Sequence, residues 1–253
     1  MDLPPIGRLL GSGKEAEVFD AGALAVKLYR TTATAPKRAA FREAAVLAQV
    51  ESLGLPVPSA RAVGQIDGRW GIAMTRAEGP SFADAMERRP EEAPACLQRM
   101  VRLQMDIHGH PGTHLGSLKA RLAANIGRAG TLDENLKRRL LDRLAALPEG
   151  DRLCHGDFHP WNILGPPGRE VVVDWLDACA GDPAADVCRS YVLIRPVAPD
   201  LAAAYVDAYA AASGERRDRI LAWLPFVAAA RLAEGVPDQA EALLAMTESR
   251  PPP

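Results

Sequence analysis

The spacing of apolar residues changes character once along this chain. Over the first 75 or so residues they fall in short runs separated by glycines: "IGRLLGSG", "AEVFDAG" and "ALAVKLYR", each rich in β-branched, aromatic or leucine side chains. The stretch "AVGQIDGRWGIAM" alternates around Asp67-Gly68, a dipeptide suited to a two-residue hairpin turn. Between these runs, Val46, Leu47, Val50 and Leu53 recur at helical spacing, with Pro36 at the start of the segment and Gly54 just past its end. From Pro80 onward the period is helical, over roughly 91–109, 115–129, 132–147, 199–213, 215–234 and 237–248. Only one region interrupts it: "LCHGDFHPWNIL" followed by "EVVVDWLDACAGDPAADV". The pattern predicts an α+β protein, with a small antiparallel sheet and one helix in residues 1–75 and a larger, mainly helical part in residues 80–253.

Composition narrows the class without naming an activity. With 253 residues the chain can bury a full core as one domain or two lobes. A net charge of -2 gives no reason to expect nucleic acid or a membrane as partner. The charge is uneven, however: residues 1–75 carry 9 Lys/Arg and 7 Asp/Glu, whereas 76–253 carry 21 and 25, so the second part is mildly acidic at -4. Cys96, Cys154, Cys179 and Cys188 show no C-x-x-C spacing, and the first residues have neither a basic nor an apolar leader pattern. Reduced thiols and a cytoplasmic location are expected, with no transmembrane helix, and the "ESRPPP" tail is expected to be disordered. Oligomeric state is not legible.

Three segments carry chemistry. In "GSGKEAEVF" the glycines Gly11 and Gly13 stand between two strands, where the lack of side chains lets backbone approach phosphates; any glycine hairpin would look the same. It is not a Walker A loop, because Arg8 and Glu15 occupy the positions of its first Gly and its Ser/Thr. Lys27 sits mid-strand in "ALAVKLYR", and Glu43 lies on the apolar face of the helix sixteen residues later. A carboxylate and an ammonium on two core-facing surfaces need each other, and together they suit a lysine that holds phosphates. In "HGDFHPWN", Asp157 and Asn162 close the two ends of one tight loop, and Asp174 ends the next apolar strand. Asn162 and Asp174 offer hard oxygens to one Mg²⁺, and Asp157 is free to take a proton from an acceptor hydroxyl.

Together "LCHGDFHPWNIL" and "VVVDWLDACAGDPAAD" resemble the signature of the aminoglycoside phosphotransferase and choline kinase-like family, with the likeness running from Gly11 through Asp186. The resemblance implies a bilobal protein-kinase-like fold whose hinge is residues 76–79, with ATP or GTP and Mg²⁺ as cofactors and a small-molecule acceptor as partner. It implies Asp157 as catalytic base, Asn162 and Asp174 as metal ligands, and Lys27 with Glu43 as the phosphate anchor. Gly11, Ser12, Gly13, Val18 and Ala25 would line the nucleotide site; Met74 would line the adenine pocket, with the backbone of Thr75 and Ala77 bonding the base. Asp182 and Asp186 are expected to cap the helix near Pro183 and to brace the catalytic loop. Only seven residues separate Asp174 from Asp182, which leaves no room for an activation segment and points to an acceptor smaller than a peptide.

Two other readings compete. Asp157 and His159 make a D-x-H, as in metallophosphatases, but the G-N-H-[DE] element is missing and G-D-x-x-D fails at Ala185. A nucleotide-binding module without catalysis would not need Asp157. His108, His110 and His114 are expected at a solvated helix end, and His155 as a brace for the loop. Of Glu215, Asp218, Glu234, Asp238 and Glu241, any could line an acceptor site or face water.

Overall fold

A computed structural model describes residues 3–166 and 168–248; most of the tail expected to be disordered lies outside them. The chain forms two compact units, residues 1–90 with 160–176, and residues 91–159 with 177–253. These boundaries differ from the linear division at residues 75–80. The reason is a hairpin, β7 (Ile163–Leu164) with β8 (Val171–Val172), which bonds to the first unit: Val172 N–H donates to Pro56 O at 2.8 Å and Gly165 N–H to Pro80 O at 3.0 Å. Such long-range pairing has no local sequence signal.

The first unit is built on a five-stranded sheet in the order β1-β2-β3-β5-β4, all neighbours antiparallel: β1 (Leu9–Ser12), β2 (Ala16–Ala21), β3 (Leu24–Tyr29), β4 (Ala60–Ile66) and β5 (Arg69–Thr75). The β4–β5 turn uses Asp67 and Gly68, both at positive φ (48° and 75°), the combination that a two-residue turn between twisted strands requires. Strand β3 is buried along nearly its whole length, and its alternation sorts its residues to two faces. Val26 and Leu28 join Leu3 and Ala73 on one face. Tyr29 joins Ile72 and Ala40 on the other, beneath α1 (Pro36–Ser52). Lys27 lies between Val26 and Leu28 in sequence and so belongs to the α1 face. A short helix not anticipated from the sequence, α2 (Phe82–Arg88), follows; Ser81 and Asp84 form a reciprocal capping box at its start.

The second unit is helical: α3 (Ala93–Gly109), α4 (Leu118–Arg128), α5 (Glu134–Ala145), α6 (Pro183–Ile194), α7 (Pro199–Ser213), α8 (Arg217–Leu221), α9 (Leu224–Leu232) and α10 (Ala240–Thr247). A two-stranded pair, β6 (Arg152–Cys154) with β9 (Cys179–Gly181), carries the segment that leads to Asp157. Helix α9 packs on α4, α6 and α10, and α3 packs on α7. The helix expected over 215–234 is broken into α8 and α9, because Pro225 lacks the N–H that would bond back one turn and its ring clashes there; Pro225 instead opens α9. All four cysteines are free thiols and buried.

Candidate active site

The strand register places the first group of residues. Val18 pairs with Lys27 across β2–β3, and Ala25 pairs with Met74 across β3–β5. Paired residues and residues two apart share a sheet face, so Val18, Ala25, Lys27 and Met74 lie together on the α1 side. Ala25, Lys27 and Met74 are buried. On that face Lys27 Nζ is 3.0 Å from Glu43 Oε1, 2.9 Å from Glu43 Oε2 and 2.7 Å from Asp174 Oδ1. The Tyr29 hydroxyl donates to Glu43 Oε2, which it shares with Lys27. Burial alone would lower the Lys27 pKa, but the two carboxylates outweigh it and hold the ammonium above its ordinary value. Burial pushes Glu43 up from the ordinary carboxylate range, against the pull of Lys27 and Tyr29.

Asp174 differs from Glu43 in two respects. Its side chain is 43% exposed, and its backbone is left-handed, at φ 64°. That conformation is uncommon outside glycine and marks a constrained position. Asn162 ends a single helical turn (Pro160–Asn162), and its carbonyl accepts from Val173 N–H at 2.9 Å. The β7–β8 pairing of Ile163 with Val172 therefore sets Asn162 opposite Val173, one residue before Asp174. An amide and a carboxylate brought to one end of one hairpin are a hard-oxygen donor set, and it fits Mg²⁺.

The glycine turn is held by Gly13 N–H to Ala16 O at 2.9 Å, and by Arg30, which reaches Ser12 Oγ at 2.8 Å and Gly13 O at 3.2 Å. A Cβ added at Gly11 would meet nothing within 4 Å, and one at Gly13 only Ala16 O at 3.6 Å. The fold itself therefore does not demand glycine at either place. At the end of β5, Thr75 N–H donates to Ser59 O at 3.0 Å and Thr75 Oγ1 accepts from Ser59 N–H at 2.8 Å. The Thr75 N–H is thus engaged within the unit. No hydrogen bond ends on the Ala77 backbone among the described residues.

In the second unit, the loop after β6 is suspended from α6. His155 N–H and Gly156 N–H donate to the two oxygens of Asp186 at 3.1 and 2.8 Å. Gly156 has φ 80°, and a Cβ there would lie 2.3 Å from Asp177 O, so no other residue fits. Asp157 N–H donates to His155 Nδ1 at 3.2 Å. The Asp157 carboxylate, 26% exposed, is 3.4 Å from His159 Nε2 and 3.7 Å from an Arg189 guanidinium nitrogen. Burial would raise its pKa, but the His159 hydrogen bond and the nearby positive charge of Arg189 hold it well below the usual carboxylate range.

Asp186 is wholly buried and also accepts from Gln104 Nε2 at 3.0 Å, with His108 Nε2 at 3.1 Å. His108 is therefore a core histidine, not the solvated helix end expected of it; its Nδ1 meets the Tyr209 hydroxyl at 2.7 Å. Despite burial, these donors bring the Asp186 pKa down to about 2. His108, Cys154 and Asp186 offer ligand atoms within 4.8 Å of one another. The Asp186 oxygens are nevertheless already filled by four donors, so the cluster is a brace for the loop. Asp182 caps α6 through Ala184 N–H at 2.9 Å and binds Arg219 at 2.7 Å. Sequence reasoning missed Tyr29, Gln104, Tyr209 and Arg189. Of these, Arg189 was accessible, since it follows Asp186 by three positions on one helix.

An antiparallel sheet with a buried Lys–Glu pair, joined to a helical unit with a suspended H-G-D loop, defines a protein-kinase-like phosphotransferase. The sequence profile of the phosphotransferase enzyme family (APH) matches residues 7–223, and the chain belongs to that family. It is a phosphotransferase with an alcohol group as acceptor. No curated protein sequence matches it significantly. Among solved structures it is similar to a thermostable mutant of aminoglycoside phosphotransferase APH(4)-Ia in ternary complex with ADP and hygromycin B, at 18% identity, TM-score 0.71, covering 96% of this chain and 94% of that one. It is also similar to a choline/ethanolamine kinase family protein from Mesorhizobium loti (20%, TM-score 0.64, 97% and 88%) and to amicoumacin kinase hAmiN in complex with AMP-PNP, Ca²⁺ and Ami (14%, TM-score 0.64, 94% and 86%). Among the described residues no helix is long and apolar enough to cross a membrane.

Proposed function

We propose that this enzyme transfers the γ-phosphoryl group of ATP to a hydroxyl of a small, non-peptide acceptor in the cytoplasm. The observation that carries the reading is the buried Lys27–Glu43 pair, with the half-exposed Asp174 on the same ammonium, beside the sheet face that holds Val18, Ala25 and Met74. Lys27, anchored by Glu43, presents its ammonium to the nucleotide phosphates, and the Gly11–Gly13 turn lies against them through backbone. Ala25 and Met74 flank the base. The Thr75 carbonyl and the Ala77 backbone bond its edge, and residues 76–79 serve as the hinge after the nucleotide-binding lobe.

Asn162 and Asp174 would hold magnesium, which when bound would neutralise phosphate charge. Asp157 orients the acceptor hydroxyl and receives its proton as the new O–P bond forms and the bond from the γ-phosphorus to the bridging oxygen of the departing ADP breaks. Its depressed pKa makes it a weak base, which suits a loose transition state in which the proton moves late and positioning dominates. ATP is favoured because relatives of this fold were solved with ADP and AMP-PNP. The four buried free cysteines accord with a reducing compartment.

The test is an ATP-consumption screen over aminoglycosides, amino alcohols, sugars and macrolides, with Asp157→Asn as blank. Acceptor-dependent ADP release that vanishes in the variant supports the reading. Release that persists in the variant removes Asp157 from the chemistry.

A further inference from the structure

We propose that Arg189 is a positioning residue that fixes the Asp157 carboxylate in its reactive orientation, and that Glu234, itself held by Arg231, locks Arg189 in place. The inference rests on the role given to Asp157 above. Arg189 lies on α6, 9% exposed, and its guanidinium is engaged on three sides. Nε donates to Gly156 O at 3.2 Å, the carbonyl that immediately precedes Asp157. The two terminal nitrogens donate to Glu234 at 2.6 and 3.1 Å as a fork. One of them also stands 3.7 Å from Asp157 Oδ1. Arg231, on α9, donates to the same Glu234 at 2.6 Å.

The geometry separates two tasks. At 3.7 Å the guanidinium is beyond hydrogen-bond reach of Asp157, so it attracts the carboxylate without occupying the lone pairs that a hydroxyl must meet. The loop carbonyl and the Glu234 fork fix the plane of the guanidinium, so its charge cannot drift. A lysine could supply the charge but not three fixed directions. Without Arg189, the positive charge opposite Asp157 Oδ1 is lost and the carboxylate could turn toward His159.

The test compares Arg189→Ala, Arg189→Lys and Glu234→Gln with the intact enzyme, reading kcat and KM for ATP from ADP release, with water as acceptor where no alcohol is supplied. Arg189→Ala is expected to lower kcat about 10- to 100-fold with KM for ATP unchanged, and free guanidinium should restore part of the loss. Arg189→Lys should recover little, and Glu234→Gln should lower kcat in the same direction by a smaller factor. A folded Arg189→Ala with unchanged kcat and no response to guanidinium overturns the proposal. Where that variant does not fold, Glu234→Gln decides, and an unchanged kcat there overturns it equally. Asp157→Asn run alongside separates the two claims. If it retains full turnover, the role of Asp157 fails and takes this inference with it; if it is inactive while Arg189→Ala is normal, only this inference falls.

Discussion

Two buried carboxylates, one in each unit, show how the same chemical group is put to opposite ends. Asp186 in the helical unit is closed on every side by neutral or structural donors: two loop amides, Gln104 and His108. Glu43 in the sheet unit shares its cation with a second carboxylate, Asp174, which stays 43% exposed. A carboxylate whose lone pairs are all filled can only hold structure. A cation shared with a half-exposed acid can be drawn toward an incoming anion, because its partner can be satisfied by something else. The difference lies in which lone pairs are left over, and burial alone does not reveal it.

Mutations should split along that line. Asp157→Asn is expected to cut transfer by about 10²- to 10⁴-fold while the melting temperature and nucleotide affinity hold, checked by ADP release beside a thermal melt and ATP titration. Asp186→Ala should do the reverse. It strands two amides and two side chains in the core, and a loss of about 3–5 kcal/mol in denaturant unfolding is expected. Should Asp186→Ala keep full stability, the contrast between brace and site fails. Lys27→Met should weaken ATP binding about 10- to 100-fold by calorimetry, the loss of a charge-assisted contact; unchanged affinity would remove Lys27 from the phosphate site.

The smallest effect is in pH. Asp186 is depressed to about 2, so its contribution is fully present above the ordinary aspartate range and is lost as pH falls toward 2. On the order of 2 kcal/mol of stability should disappear between about pH 5 and pH 2. Asp186→Asn should lack that component of the acid slope; an identical slope would mean that the brace is not ionised.

Much of the sheet unit was legible because its signals are local. Asp67-Gly68 announces the hairpin, the apolar spacing of Val46, Leu47 and Val50 announces α1, and Lys27 and Glu43 are conspicuous as charges on core faces. The spacing of Asp157, Asn162 and Asp174 picked out the candidate site as a pattern, and register then showed how β7–β8 brings the last two together. What was not legible is non-local. His108 reads as a polar helix end until Asp186, 78 residues away, is folded onto it. The Arg189 fork needs Glu234, 45 positions on, which the sequence offers only as one of several acids on a helix. The break before α9 was visible as Pro225 and was outweighed by the apolar run around it.

The left-handed backbone of Asp174 narrows what evolution or an engineer can put there. Asparagine and glycine enter that region without much difficulty, whereas valine, isoleucine or threonine would force the hairpin to rearrange before any change in charge were felt. Drift at this position is fenced twice, once by torsion and once by electrostatics, and an asparagine replacement there probes the second fence without first climbing the first and keeps a side chain of the same size.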